Sequence, residues 1–232
     1  MRQQGPRLFI FGCGGYGREV MDMTLRHMAQ LAANNIRVQA EFLVDQEGSI
    51  PPNRLVNGLT VRHIREVMGD KTRSMDGYVV AVGDPAARKK IVETIEKACI
   101  ELGNPGRLQP DRVKSPTAVA SDDSQAGPGS ILSDFALISP NASIGTHFHA
   151  NIYSYVAHDC VVGNYVTLAP KAAVNGNVRI GDGVYIGTGA VIKPGVSIGN
   201  GAVIGMGAMV LRDVEDGEIV VGNPAKPMNK KR

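Results

Sequence analysis

At 232 residues the chain has room for one or two domains and a sizeable core, and its formal net charge of +3 comes from dispersed basic residues that form no stripe for nucleic acid. It shows no basic-then-apolar leader and no apolar run of membrane-spanning length, so the expectation is a cytoplasmic protein with no membrane partner. Cys13, Cys99 and Cys160 are odd in number and have no metal-ligand spacing, which suits a reducing compartment.

In chain order, residues 8–11 read as a buried strand, followed by Gly12-Cys13-Gly14-Gly15-Tyr16-Gly17 and a helix with Met21, Leu25, Met28 and Ala32 on one face. A second strand, 41–44, ends at Asp45, and a third, 78–82, ends at Gly83. Asp84-Pro85 then opens a helix whose expected apolar stripe is Ala87, Ile91, Ile95, Ala98 and Leu102. Strands alternating with helices imply a small parallel α/β sheet, about half of a doubly wound fold. Residues 103–110, rich in Gly and Pro, read as a linker, which sets the expected domains at 1–108 and 109–232.

From Leu132 the pattern changes. An aliphatic residue returns at every sixth position, from Leu132 through Ile138, Ile144 and onward to Val210, with Ala150 the one small member. A second compact side chain follows four residues later, as at Ala136, Ala142, Cys160, Ala172, Ala190, Ala202 and Ala208. A period of six matches neither a helix nor a lone strand. It implies a repeat in which each hexad makes one short strand and one turn, three hexads closing a triangular coil of about eighteen residues. The array is expected to begin irregularly near Val113, because terminal repeats are atypical. It ends through Gly222-Asn223-Pro224-Ala225-Lys226 and the basic tail 230–232, read as solvated charge.

Gly12-x-Gly14-x-x-Gly17 matches a dinucleotide fingerprint, but too little chain precedes the repeat for two mononucleotide-binding halves. A single half holds one nucleotide, so a nucleotide or nucleotide-sugar is favoured over NAD, with a structural glycine turn as the plain alternative. Asp45, at a strand end, could accept from a ribose or base, or be a turn carboxylate. His158-Asp159 projects outward from the coil, where stacking gains nothing from an imidazole; it is either a general base or a solvated turn histidine. His147, His149 and His158 occupy different phases of the hexad, so no metal site is expected. Cys160 falls at an inward position and reads as core, against a covalent acyl-enzyme route.

Taken together, the Phe-Gly-x-Gly-Gly-x-Gly start, the Val-Gly83-Asp-Pro turn, the Val-Ala-His158-Asp159-Cys-Val-Val-Gly hexads and the Gly-Asn-Pro-Ala-Lys exit resemble the bacterial sugar acetyltransferases over essentially the whole chain. That family includes sialic acid O-acetyltransferases and UDP-4-amino-sugar N-acetyltransferases. The resemblance implies a left-handed parallel β-helix forming a homotrimer, acetyl-CoA in the groove between neighbouring coils, and a nucleotide-sugar on the N-terminal domain. By matched position Gly14, Gly15, Tyr16, Asp45, Gln46 and Gly83 would face the nucleotide-sugar, and Thr167, Gly176, Thr188 and Met206 the CoA. His158 would be the base and Asp159 its orienting partner, while Tyr16 and Thr167 stand where some members carry histidine. The expected activity is acetyl-CoA-dependent N-acetylation of a nucleotide-linked amino sugar by direct attack, with the Gly176 N–H, one coil beyond His158, as oxyanion donor from the adjoining chain. O-acetylation of a free sugar such as sialic acid is the competing enzyme reading; a non-catalytic nucleotide-sugar scaffold and a zinc β-helix are the readings from other classes.

Overall fold

A computed structural model describes residues 7–33, 38–70 and 75–228. The basic tail at 230–232 lies outside them. The chain packs as two units, the first holding residues up to Val82 with Ala87–Pro116, the second Gly83–Ala86 with Thr117 onward.

In the first unit, β1 (Arg7–Phe11), β2 (Gln39–Val44), β4 (Leu59–His63), β5 (Asp76–Val80) and β6 (Leu108–Pro110) lie parallel, and the short β3 (Leu55–Val56) is antiparallel to β4, in the order β3-β4-β2-β1-β5-β6. The central strands are continuous apolar runs (Phe9, Ile10, Phe42, Leu43, Val79 and Val80 are buried) because helices cover such sheets. Three expectations change here. The β3–β4 hairpin and α2 (Ile64–Gly69) occupy the stretch after Asp45 and extend the sheet beyond β2. Leu108–Pro110, read as linker, pairs with β5, and the junction is tied by Asp76, whose Oδ2 accepts from Arg7 Nη2 and Arg107 Nη1, each at 2.6 Å.

The third change is in the helices, whose buried faces are rotated by about one residue. On α1 (Gly15–Ala33) the buried positions are Gly17, Val20, Met21, Met23 and Thr24, while Leu25 is 39% exposed. On α3 (Pro85–Glu101) they are Pro85, Arg88, Val92, Ile95 and Cys99, leaving Leu102 exposed. Polar side chains sit inside each stripe: Thr24 satisfies its hydroxyl on the Val20 carbonyl at 2.7 Å, and Arg88 donates to the Val82 carbonyl at 2.7 Å. An apolar-only count passes over both.

The second unit is a left-handed parallel β-helix. Two-residue strands pair in parallel with those eighteen residues on, as Leu137↔Tyr155↔Ala173↔Val191↔Met209, Ser143↔Val161↔Arg179↔Ser197 and His149↔Thr167↔Tyr185↔Val203. Every aliphatic of the hexad series is buried, Leu132 through Val210, and Ala136, Ala142, Cys160, Ala172, Ala190, Ala202 and Ala208 fill the positions beside them. Upstream, Ala120 and Ala126 keep the inward phase, so the coil begins with alanines in place of aliphatics. Near the end the spacing shortens to sixteen, with Val203 pairing Ile219, before the antiparallel Lys226–Pro227 covers the last strand edge.

Candidate active site

From Phe135 to Gly207 each hexad puts one residue in the left-handed region, and stacking by eighteen makes columns of such residues along each corner. One corner carries Asn141, Asp159, Asn177 and Gly195. Asp159 takes φ 58°, a region that Asn, Asp and Gly enter most readily. That conformation swings its carboxylate back onto the neighbouring imidazole, so His158 Nδ1 meets Asp159 Oδ2 at 2.7 Å. Asn141, one coil earlier in the same column, donates Nδ2–H to Asp159 Oδ1 at 3.1 Å. These two hydrogen bonds, His158 first and Asn141 second, hold the Asp159 carboxyl below the usual carboxylate range. An ionised carboxylate only accepts, so Nδ1 carries the proton and Nε2 is left as the basic nitrogen.

Under that ring lies Gly176 of the same chain, rather than the Gly176 expected from the adjoining one. A β-carbon there would stand 2.7 Å from both Cε1 and Nε2 of His158, so only glycine lets the imidazole rest on this turn. The Gly176 N–H also differs from its counterparts. At another corner the equivalent N–H groups of Thr146, Asn164, Asp182 and Asn200 are each taken by an Asn or Asp oxygen of the next coil, at 2.6–2.9 Å. Beyond Gly176 the next coil offers Pro194, and beyond His158 it offers Gly176 itself. Among the described residues neither N–H has an acceptor. Unpaired donors beside a base suit a developing oxyanion.

Thr188 and Met206 share a different corner, stacked by the Gly207 N–H to Thr188 carbonyl bond at 2.8 Å; both are exposed, Met206 at 81%. Within one chain they belong to a separate corner column from His158 and Gly176. Thr167 is placed otherwise: it is 1% exposed, and its hydroxyl donates to the Gly83 carbonyl at 2.7 Å. His147 stacks on Tyr165 with centroids 4.9 Å apart, and His149 is buried in its strand. No group of three His, Cys, Asp or Glu able to share a metal ion occurs among the described residues.

In the first unit the parallel β1, β2 and β5 point their C-terminal ends the same way, and the loops after β1 and β2 carry Gly14, Gly15, Tyr16, Asp45 and Gln46; Gly83, three residues after β5, belongs to the second unit. A side chain on Gly17 would collide with the Gly12 carbonyl, which makes glycine obligatory where α1 meets β1. Gly14 and Gly15 are exposed with open space beyond their Cα atoms, and Tyr16 is half-buried. Asp45 is half-buried and Gln46 exposed, just before a one-turn helix at Glu47–Ser49. Two positioning residues escape a sequence reading. His63 accepts the Arg65 N–H on Nδ1 and therefore donates from Nε2 to the Asp45 carbonyl at 3.0 Å; Arg88, fully buried, holds the Val82 carbonyl. Asn141 was findable, since it precedes Asp159 by one coil.

This geometry now meets known proteins. A PglD N-terminal domain model matches residues 7–95, and a bacterial transferase hexapeptide model matches 177–212. The GDP-perosamine N-acetyltransferase of Escherichia coli O157:H7 is 40% identical over 172 residues, covering 74% of this chain and 71% of that protein. The chain belongs to the bacterial hexapeptide-repeat sugar acetyltransferases. Among solved structures, the acetyltransferase domain of PglB from Neisseria gonorrhoeae FA1090 in complex with acetyl coenzyme A superposes with a TM-score of 0.79 at 29% identity, covering 97% of this chain and all of that one. PerB from Caulobacter crescentus, in complex with CoA and GDP-perosamine, gives 0.78 at 26% identity and 98% of each chain. This acetyltransferase therefore uses acetyl-CoA as its acyl donor. No helix among the described residues is long and apolar enough to cross a membrane.

Proposed function

We propose that this acetyltransferase moves the acetyl group of acetyl-CoA onto the amine of a nucleotide-linked amino sugar, with GDP-perosamine, the substrate named for the Escherichia coli relative, the first to try. The observation that carries the mechanism is the His158 arrangement: Nδ1 is committed to Asp159 and Nε2 is left basic above Gly176. As the amine attacks the thioester carbonyl, His158 Nε2 accepts its proton and the Gly176 N–H donates to the oxygen that becomes negative; collapse releases the CoA thiolate, which recovers the proton from the imidazolium. Cys160 is not the nucleophile, since burial raises its thiol pKa and disfavours the thiolate.

The nucleotide falls to the first unit's loops at Gly14–Tyr16 and Asp45–Gln46. Acetyl-CoA is assigned to Gly176, Thr188 and Met206. Thr167, whose hydroxyl is committed to Gly83, would act through that turn. Because Thr188 and Met206 occupy another corner from His158, the reading calls for neighbouring coils in a homotrimer. The coil face carrying Val119, Leu137, Tyr155, Ala173, Val191 and Met209 supports this: it is apolar throughout, with Val119 58% and Leu137 41% exposed, whereas the Ser143-Val161-Arg179-Ser197 face is mostly polar. The three cysteines are free thiols, in keeping with work in the cytoplasm. The test is a panel of GDP-, UDP- and dTDP-linked amino sugars offered with acetyl-CoA while free thiol is followed. Acetylation of an amino sugar at nitrogen is expected; transfer only to hydroxyls, or to free sugars alone, would overturn the reading.

A further inference from the structure

The turn beneath His158 is built differently from the other turns of the coil. At the inward position four residues into each hexad the chain mostly uses alanine or valine, but at Cys160 it uses a thiol, fully buried, one coil before the Asn175–Val178 turn. Cys160 Sγ donates to the Asn175 carbonyl at 3.1 Å. The sulfur also receives the Val178 backbone N–H, and burial, the larger influence, keeps the group a thiol and so a donor. Ser124 makes the corresponding contact two coils earlier on the same corner, accepting the Ala142 N–H at 2.9 Å. The Asn175 side chain is pinned as well: its Oδ1 accepts from Tyr155 Oη at 2.8 Å and its Nδ2 donates to the Ile192 carbonyl at 2.7 Å. The Ile192 carbonyl takes the Asn175 backbone N–H only at 3.3 Å, whereas Ala157 and Lys193 make the equivalent bond at 2.8 and 2.9 Å.

A trans peptide is planar, with its C=O and N–H directed oppositely. The Asn175 carbonyl faces Cys160 inside the coil, so the N–H at the other end of the same peptide, that of Gly176, is directed away from the interior. We propose that Cys160, Tyr155 and the Asn175 side chain are positioning residues that fix the Asn175–Gly176 peptide plane and thereby aim the Gly176 N–H at the reacting carbonyl. This inference rests on the assignment of Gly176 as oxyanion donor and assigns its supporting residues. It gives three side chains outside the reacting centre an effect on turnover with none on substrate binding, since a preformed donor acts most strongly on the charge of the transition state.

The experiment compares Cys160→Ala, Cys160→Ser, Tyr155→Phe and Asn175→Ala with wild type and His158→Ala, using GDP-perosamine and acetyl-CoA. Removing an oxyanion donor outright lowers kcat by about 10²–10³-fold, so mis-aiming one should lower it by about tenfold in Cys160→Ala and Asn175→Ala. Both KM values and the shape of the pH profile should hold. Cys160→Ser should recover most of the loss, because its hydroxyl can donate to the same carbonyl. Hydrogen exchange of the peptide spanning 174–178 should rise in Cys160→Ala and return in Cys160→Ser. Wild-type kcat in both Cys160→Ala and Asn175→Ala, with His158→Ala inactive, would overturn the positioning role and leave the parent reading standing. A wild-type rate in His158→Ala would instead bring down the parent reading, and this inference with it.

Discussion

His158 rests directly on Gly176, with no room for a methyl group between them: a β-carbon on the glycine would lie 2.7 Å from Nε2. The two residues are eighteen apart, one turn of the coil, and the Asn177 N–H to His158 carbonyl bond at 3.0 Å ties their turns together. Gly176→Ala should therefore displace the imidazole. A misplacement of about 1 Å at a reacting group is worth on the order of 10²-fold in rate. We expect kcat to fall by that order with the melting temperature nearly unchanged, measured by steady-state kinetics beside calorimetry. Wild-type kcat in Gly176→Ala would show that the ring does not work from this position.

The Asp159 carboxyl is held below the usual range by His158 and then by Asn141. Its folded-state pKa is depressed, so its bond to His158 is fully present above the unfolded-state value and is lost only as the pH falls through the folded value. Carboxyl carbon NMR should find Asp159 ionised at pH values where an ordinary aspartate is half protonated. Asn141→Ala should move the titration upward, toward the ordinary range. An unchanged midpoint in Asn141→Ala would remove Asn141 from the account.

The glycine-rich loop divides into two kinds of glycine. Gly17→Ala should destabilise the protein, because the methyl collides with the Gly12 carbonyl; strain at such a site is among the larger single-residue effects, about 1–3 kcal/mol or more. Gly14→Val has open space and should leave the melting temperature close to wild type while weakening nucleotide-sugar binding and sparing acetyl-CoA. Calorimetry with GDP-sugars, NAD and acetyl-CoA checks both halves. Tight NAD binding without nucleotide-sugar binding would reassign the loop.

Sedimentation should find a trimer at micromolar concentration, and Leu137→Glu, which places a charge on the exposed apolar face, should dissociate it and abolish activity together. A fully active wild-type monomer would refute the shared groove.

What the sequence disclosed follows from where the information lies. A hexad writes its inward phase into every sixth residue, so the coil, the register of eighteen and the adjacency of His158 to Gly176 were legible by counting. The same counting reaches Asn141 from Asp159. It fails where a polar side chain takes a buried place: Thr24 and Arg88 rotate the helix faces away from the apolar stripes at Leu25 and Leu102. It also fails for contacts between distant residues, such as Thr167 with Gly83 or His63 with Asp45, because neither partner's type announces the other. Leu108–Pro110 was hidden because a three-residue strand among glycines and prolines reads as a loop until its partner Asp76–Tyr78 is in place.

The most direct test of the central claim is the turnover of His158→Ala on the nucleotide-linked amino sugar. A general base contributes about 10²–10⁴-fold, so kcat should drop by that order. Acetyl-CoA affinity, nucleotide-sugar affinity and the oligomeric state should remain, because the side chain is exposed and fills no core position. A His158→Ala enzyme that turned over at the wild-type rate would contradict the mechanism and require the proton to leave by another residue.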